Sequence, residues 1–266
     1  MKKDYHFTFL ELEKAIKDLK INIGDSIFLS TNIGSVGIPK SNNKNSLLTS
    51  SRWLYTAIQK KIGGKGNIFV PTYSYSFAKK IRVYDPKNTK SDIGYFPNFF
   101  LKQANIIRSI DPMISISGIG PDAKKILTKI PNNSYGNDSV FERFLALKNL
   151  KCLHFGLGYN WVPFVHYLDW KNNVPFRFEK FFSGKIKLNK KKIDYNWNYY
   201  ARELRKETVS NGYKIGKMAK LKKLYKNTEL GRSMLYVISY NKFYNFSKKM
   251  TKKNKWLTVN GPKYKS

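Results

Sequence analysis

Apolar and polar positions recur along this chain with two different periods. Residues 8–20 carry Leu10, Leu12, Ala15, Ile16 and Leu19 at roughly helical spacing, with Thr8 placed to cap the N-terminus, so a helix is predicted there. Residues 26–29 form a short apolar run that predicts a buried strand. It leads into Ser30, Thr31, Asn32, Ile33 and Gly34, small polar residues with a glycine at a strand end, where hydroxyls and backbone N–H groups become exposed. The pattern predicts a second helix over 51–62, closed by Gly63, Gly64 and Gly66, and a β-run over 67–70 ending at Pro71 and Thr72. Gly118, Gly120 and Pro121 mark the passage from an extended segment to a helix over 121–129. Cys152, Leu153, His154, Phe155 and Leu157 make an apolar strand released by Gly156 and Gly158, and Pro163 suits the first turn of a helix carrying His166 and Asp169. Helix and strand alternate, which predicts an α/β fold.

A chain of 266 residues, 41% hydrophobic and 15% aromatic, can bury a sizeable core in one domain or two intimate ones. There is no internal repeat and no Gly/Ser- or Pro-rich linker to mark a boundary. No apolar stretch approaches eighteen residues, and the first twenty alternate charge with apolar positions rather than presenting a signal peptide, so a cytoplasmic protein is expected. The glycines at 63, 64 and 66 follow a helix and precede a strand. That order is the reverse of a phosphate-binding loop, and a helix-ending turn is expected instead.

Charge changes the picture. Fifty Lys and Arg against 17 Asp and Glu give a formal +33, which favours anionic partners and repels cationic ones. Three explanations stay open: compositional bias spread over solvated surface, an anionic substrate and cofactor, or contact with nucleic acid or an acidic membrane face. Residues 185–266 hold 23 Lys or Arg against 4 Asp or Glu, and Lys190, Lys191 and Lys192 look like exposed turn or tail. This basic C-terminal part is the region expected to face anions.

The candidate chemistry is sparse. A single cysteine, Cys152, excludes an intramolecular disulfide framework and a thiolate cluster, and three histidines scattered at 6, 154 and 166 suggest no metal site. The i,i+3 spacing of His166 and Asp169 puts both on one helical face. There the carboxylate could raise the basicity of the imidazole and orient it, a general-base arrangement, or hold a substrate ammonium. On that spacing alone a structural histidine is the favoured reading, because such a pair is common by chance. His154, inside an apolar run, reads as core, His6 lies near a terminus, and Cys152 reads as a buried small hydrophobe rather than a nucleophile.

The order of short motifs resembles the aminoglycoside 3-N-acetyltransferase family, also called the antibiotic N-acetyltransferase superfamily, over nearly the whole chain. GDSIFLSTNIGSVG at 24–37 is similar to the family's strand and His-Ser-Ser-Leu turn, with Ser30 in the histidine's place and Thr31 and Asn32 in the serines' places. NIFVPTYSYSF at 67–77 resembles a strand ending in Pro-Thr-Tyr, and YDPKNTKSDIG at 84–94 resembles its Asp-Pro, Thr-x-Ser, Gly series. RSIDPMIS at 108–115 keeps Arg108, Ser109, Pro112 and Ser115 but has Asp111 where histidine is usual. Gly136 and Ser139 match a Gly-x-x-Ser step, and YKIGKMA at 213–219 resembles a late glycine element. His166 falls on the base of the family's Thr-x-x-His-x-x-Glu loop, with Pro163 for the threonine and Asp169 for the glutamate.

The resemblance implies one compact α/β domain over 1–266 with a mixed central sheet flanked by helices. It implies a metal-free N-acyltransferase that takes acyl-CoA and an amino sugar, with His166 and Asp169 as catalytic residues. Ser30, Thr31, Asn32, Arg108 and Ser109 are then expected at the cofactor, and Tyr73, Tyr75, Asp85, Asp111 and Asn160 at the substrate. Aminoglycosides are polycations that a +33 protein repels at long range. A nucleotide-linked amino sugar, the acceptor of some members, fits a basic protein better. Two other outcomes remain: a non-catalytic basic module binding nucleic acid or a membrane face through the C-terminal charge and Tyr195, Trp197, Tyr199 and Tyr200, or a catalytically degenerate relative diverged at Ser30, Asp111, Pro163 and Asp169.

Overall fold

The protein is described here by a computed structural model covering residues 5–162 and 164–262; Pro163, expected in the first turn of the helix that carries His166, lies outside the described residues. The chain opens with α1 (Phe9–Asp18). Thr8 Oγ1 accepts from Glu11 N at 3.2 Å and the Glu11 carboxylate accepts from Thr8 N at 2.7 Å, a reciprocal capping box. Leu12, Ala15 and Ile16 are buried, but Leu10 is 75% exposed, so the apolar stripe is narrower than the sequence suggested. β1 (Ser26–Thr31), α2 (Ser46–Ile62) and β2 (Asn67–Pro71) follow. α2 begins at Ser46 rather than at 51 because Asn45 Oδ1 caps Leu48 N at 3.0 Å, and its first turns bury Thr49 and Ser50, polar residues that an apolar period does not register. Gly63, at φ +65, ends it as expected.

The chain continues through β3 (Val83–Tyr84), α3 (Tyr95–Phe100), β4 (Ile107–Arg108), β5 (Ile116–Ile119), α4 (Ala123–Leu127) and α5 (Val140–Arg143). β6 (Leu150–Phe155), α6 (Val165–Lys171), β7 (Arg177–Leu188), β8 (Lys191–Arg202), α7 (Tyr213–Leu221), β9 (Lys226–Leu230), β10 (Ser233–Ser239) and α8 (Tyr240–Lys253) complete it. The main sheet has seven strands in the order β4-β5-β2-β1-β6-β10-β9. Its centre is parallel, β2 and β6 flanking β1, while the outer pairs are antiparallel, so the sheet is mixed. Side chains alternate along β1: Ile27 and Leu29 join Leu12, Ile16, Leu54 and Ile58 on one face, and Phe28 joins Phe144, Phe164 and Tyr240 on the other. Both faces are therefore apolar and covered by helices, as a sheet with a parallel centre requires. Burying one such phenylalanine contributes about 2 kcal/mol, and Phe144 adds edge-on ring contacts to Phe28 at 5.3 Å and Phe69 at 4.9 Å.

A second sheet orders β3-β7-β8. β7 and β8 pair from Arg177↔Arg202 to Leu188↔Lys191, and Asn189 (φ +47) with Lys190 (φ +68) closes them as a two-residue turn of the primed type. The basic C-terminal part is thus no tail: Lys190 sits in a tight turn, Lys191 and Lys192 open β8, and β10 pairs with β6 inside the main sheet. Its polar composition reflects strands with exposed positions rather than absence of structure. Among the described residues no helix is long and apolar enough to cross a membrane.

Candidate active site

The carboxyl ends of the three parallel strands open on one edge of the main sheet, where parallel sheets gather ligands because the loops there diverge. Asn32 N donates to Phe155 O at 2.8 Å and Ser35 Oγ donates to Gly156 O at 2.6 Å, so the loop after β1 is tied to the end of β6. Gly156 permits this. Its φ is +68, and a Cβ there would stand 2.3 Å from Asn32 O. The same glycine ends β6 at Phe155 rather than at the expected 157. Beside this junction lies a cleft of about 540 Å³, walled by Thr31 and Asn32, Pro71 of β2, Tyr95 and Phe96 of α3, and Leu157 and Trp161 beyond β6. None of the described residues that line it is charged.

Five residues past Trp161, at most about 18 Å of chain, His166 stands in the first turn of α6 and forms part of the wall of a second cavity of about 690 Å³. His166 is 28% exposed, and its ring meets Tyr135 edge-on at 5.7 Å. Asp169 lies one turn on, 1% exposed, with Oδ2 3.6 Å from His166 Nδ1. Its first obligations are elsewhere: Oδ2 accepts from Arg177 Nε at 2.7 Å, and Oδ1 accepts from Thr258 Oγ1 at 2.7 Å. Arg177 also bonds Tyr200 O at 3.1 Å and brings Nη2 to 2.5 Å from His166 Nδ1. A guanidinium only donates, so Nδ1 is the acceptor and the ring proton sits on Nε2 in this arrangement.

The electrostatics follow from that cluster. Burial is the largest influence on His166 and the Arg177 charge the next; the Asp169 contribution opposes both but does not prevail, and the pKa falls from 6.5 to about 4. Asp169 does raise the basicity of the imidazole, as expected, but burial and the Arg177 charge at the start of β7 outweigh it. What the cluster holds at neutral pH is an uncharged imidazole in a fixed orientation.

The remaining expected site residues scatter. Tyr75, at φ +46, lines the His166 cavity, and Tyr73 packs against it at 6.2 Å from deeper in the core. Ser30, opposite His154 in register and 1% exposed, lines the floor of the cleft together with Thr31 and Asn32, which are more exposed. Arg108 and Ser109, expected at a cofactor, are interior. Arg108 donates to Thr72 O at 2.6 Å, Thr89 O at 2.5 Å and Ser115 Oγ at 3.1 Å, which ties three loops together, and Ser109 Oγ accepts from Ile116 N at 3.0 Å. Asp111 is buried with Oδ1 accepting from Met113 N and Ile114 N at 2.8 and 2.9 Å, and burial raises its pKa to about 6. Asp85 organises the turn at 85–89 and pairs with Lys187 at 3.3 Å, at the far end of the hairpin. Asn160 is an exposed loop residue that borders neither cavity.

The other flagged side chains resolve similarly. Cys152 is wholly buried and burial pushes its thiol up. His154 is buried and held neutral, its pKa near 4, and His6 Nδ1 accepts from Ile38 N at 3.0 Å. Trp197 is buried, with Nε1 donating to Ser134 Oγ at 2.9 Å, and Tyr200 is 5% exposed, so the aromatics of β8 do not form the exposed stacking platform that the sequence allowed.

The model of one protein family, aminoglycoside 3-N-acetyltransferase, matches residues 45–252. The chain belongs to that family. With membership comes the enzyme class, an N-acyltransferase, as the motif order implied. No curated protein sequence matches the chain. Among solved structures, AAC-IIIb in a binary complex with CoASH superposes with a TM-score of 0.78 at 14% identity, covering 96% of this chain and 98% of the other. Sisomicin-bound AAC-VIa gives 0.79 at 17%, covering 93% and 98%, and the YokD protein from Bacillus subtilis gives 0.76 at 16%, covering 93% and 100%. These likenesses establish the aminoglycoside 3-N-acetyltransferase fold over nearly the whole molecule.

Within that fold the late glycine element gains a physical reason, since a Cβ on Gly216 would stand 2.2 Å from Tyr159 O and α7 packs directly on the loop leading to His166. Sequence reading missed Arg177, Thr258, Lys180 and Arg202. Their only signal is alternation along two polar strands and a short C-terminal segment, and nothing in the spacing tied them to His166.

Proposed function

We propose that this family member transfers an acyl group from acyl-CoA directly to the amine of an anionic, nucleotide-linked amino sugar, with His166 as general base. The observation that carries the reading is the cavity at His166. Arg177, Lys180 and Arg202 border it against a single carboxylate, Glu203, which is already paired with Arg205. Arg177 is balanced by Asp169, so a polycationic acceptor would meet the positive charges of Lys180 and Arg202 there, whereas a diphosphate would meet partners.

The apolar cleft at the strand ends suits the uncharged arm and thioester of acyl-CoA, with Thr31 and Asn32 offering hydrogen bonds at its wall. CoASH in a related structure supports the co-substrate. For His166 to take the amine proton at Nε2, its own proton must stand on Nδ1, turned toward Asp169 Oδ2, and Arg177 Nη2 must release that nitrogen. The amine then attacks the thioester carbonyl, the C–S bond breaks, and CoA leaves as the thiolate that accepts a proton. A depressed imidazole pKa keeps the base unprotonated at neutral pH, while Asp169 compensates the imidazolium as it forms.

Free-thiol release from acetyl-CoA tests this against a panel of nucleotide amino sugars and aminoglycosides, with His166→Ala as control. Turnover confined to nucleotide sugars and lost in the variant is expected. Faster turnover of aminoglycosides would sink the acceptor assignment, and full activity of the variant would sink the base.

A further inference from the structure

The pairing of β7 with β8 sets Arg177 directly opposite Arg202. Like charges facing each other across strands cost stability unless something compensates them. Arg177 is compensated by Asp169. Arg202 is not: its Nη1 donates to Glu203 O at 3.1 Å and Thr208 Oγ1 at 3.2 Å, which aims the guanidinium, and among the described residues Nε and Nη2 have no partner and no carboxylate pairs with it. A half-buried arginine oriented by one edge, with its other edge unsatisfied, is built to receive an oxyanion in fork geometry.

Lys180 stands on the same cavity, opposite Tyr199 in register, with Nζ 5.1 Å from the centre of the Phe182 ring. It makes no ion pair among the described residues. Phe178, Lys180 and Phe182 alternate onto one face of β7, so a cation is set between two rings, and Phe178 is 47% exposed toward the opening. Cations interleaved with accessible aromatic faces suit phosphate joined to a planar base.

We infer that Arg202 and Lys180 are the specificity-determining residues of the acceptor site, binding the phosphates of a phosphorylated amino sugar whose amine lies at His166. This rests on the proposed acyl transfer and deepens it. A sugar 1-phosphate and a nucleoside diphosphate both present that phosphate. Phe178 separates the two, because only a nucleoside offers a base to stack.

The test compares Arg202→Gln, Lys180→Gln, Phe178→Ala and, as a control far from the cavity, Lys222→Gln on α7's C-terminal end. The first readout is the ratio of kcat/KM for a nucleoside-diphosphate amino sugar to that for the same amino sugar without phosphate. Removing one charge-assisted contact should lower that ratio roughly 10- to 100-fold in Arg202→Gln, by less in Lys180→Gln, and not at all in Lys222→Gln. The second readout needs no turnover: calorimetric binding of uridine diphosphate to enzyme saturated with CoA, weakened by added salt and by Arg202→Gln. Phe178→Ala should weaken uridine diphosphate but not inorganic pyrophosphate if the acceptor carries a nucleoside, and neither if it is a sugar phosphate. Unchanged ratios in Arg202→Gln, or no binding of either probe to the wild type, would overturn the inference even with turnover of another amine intact. Arg202-dependent binding without any acyl transfer would uphold the anion site and overturn the reaction instead.

Discussion

The cleft at the strand ends and the cavity at the hairpin base are joined by one short segment, 157–166, yet differ in almost every physical respect. The cleft has no charged residue among the described residues that line it, and it is assembled from neighbouring strand ends tied by hydrogen bonds to backbone carbonyls. The cavity brings together α6, both hairpin strands and, behind Asp169, Thr258 beyond α8, and three cations face it. The proposed reaction uses both, the uncharged cleft for a thioester arm and the basic cavity for an anionic acceptor. The comparison teaches that one fold can set an uncharged cleft, built from the strand ends of its main sheet, a few residues along the chain from a basic cavity built on a separate hairpin.

The strongest way to break the comparison is at the base. His166→Ala should lower kcat by ~10²–10⁴ and leave acyl-CoA binding to the cleft intact, read by steady-state kinetics beside calorimetry. Equal loss of both would mean that the two regions are not separate.

Arg177→Gln comes next, because it leaves Asp169 buried and uncompensated. A loss of about 3–5 kcal/mol is expected, measured by denaturant unfolding. The same variant tests the electrostatics. In the folded chain His166 titrates near 4, below its ordinary 6.5, so the neutral ring contributes stability that is fully present above 6.5 and lost as pH falls toward 4. The acid limb of kcat/KM should therefore lie near 4 in the wild type and move upward without Arg177. An acid limb already near 6.5 in the wild type would contradict the Arg177 contact.

A milder change sharpens the other side. Trp161→Ala should raise KM for acyl-CoA several-fold through lost apolar contact while leaving KM for the acceptor unchanged. The smallest effect is expected at Asp111. Its folded pKa of about 6 exceeds the ordinary 3.8, so the protonated form is favoured and its stabilisation, complete below 3.8, is lost as pH rises through 6. Asp111→Asn, neutral throughout, should flatten the stability profile between pH 4 and 7 without moving the midpoint at pH 4 appreciably.

Much of the framework was legible because it is local. The Thr8 cap, the apolar β1 and β2, the Gly63 stop and the alternation of helix and strand are written in neighbouring residues, whose backbone preferences and burial periods need no distant partner. The family was legible for a related reason: motifs in fixed order survive where each position serves its own turn or strand end. Arg108 shows the limit of that reading, since the same motif residue that suggested phosphate is spent on three carbonyl and hydroxyl acceptors inside the protein.

By itself the sequence determined the α/β alternation, the enzyme family, and His166 and Asp169 as neighbours on one helical face. Only the tertiary structure decided what those two neighbours do. Arg177, Arg202 and Thr258 reach the site from other elements, and charges acting through space across a folded interior depend on distance and burial, which no spacing along the chain encodes.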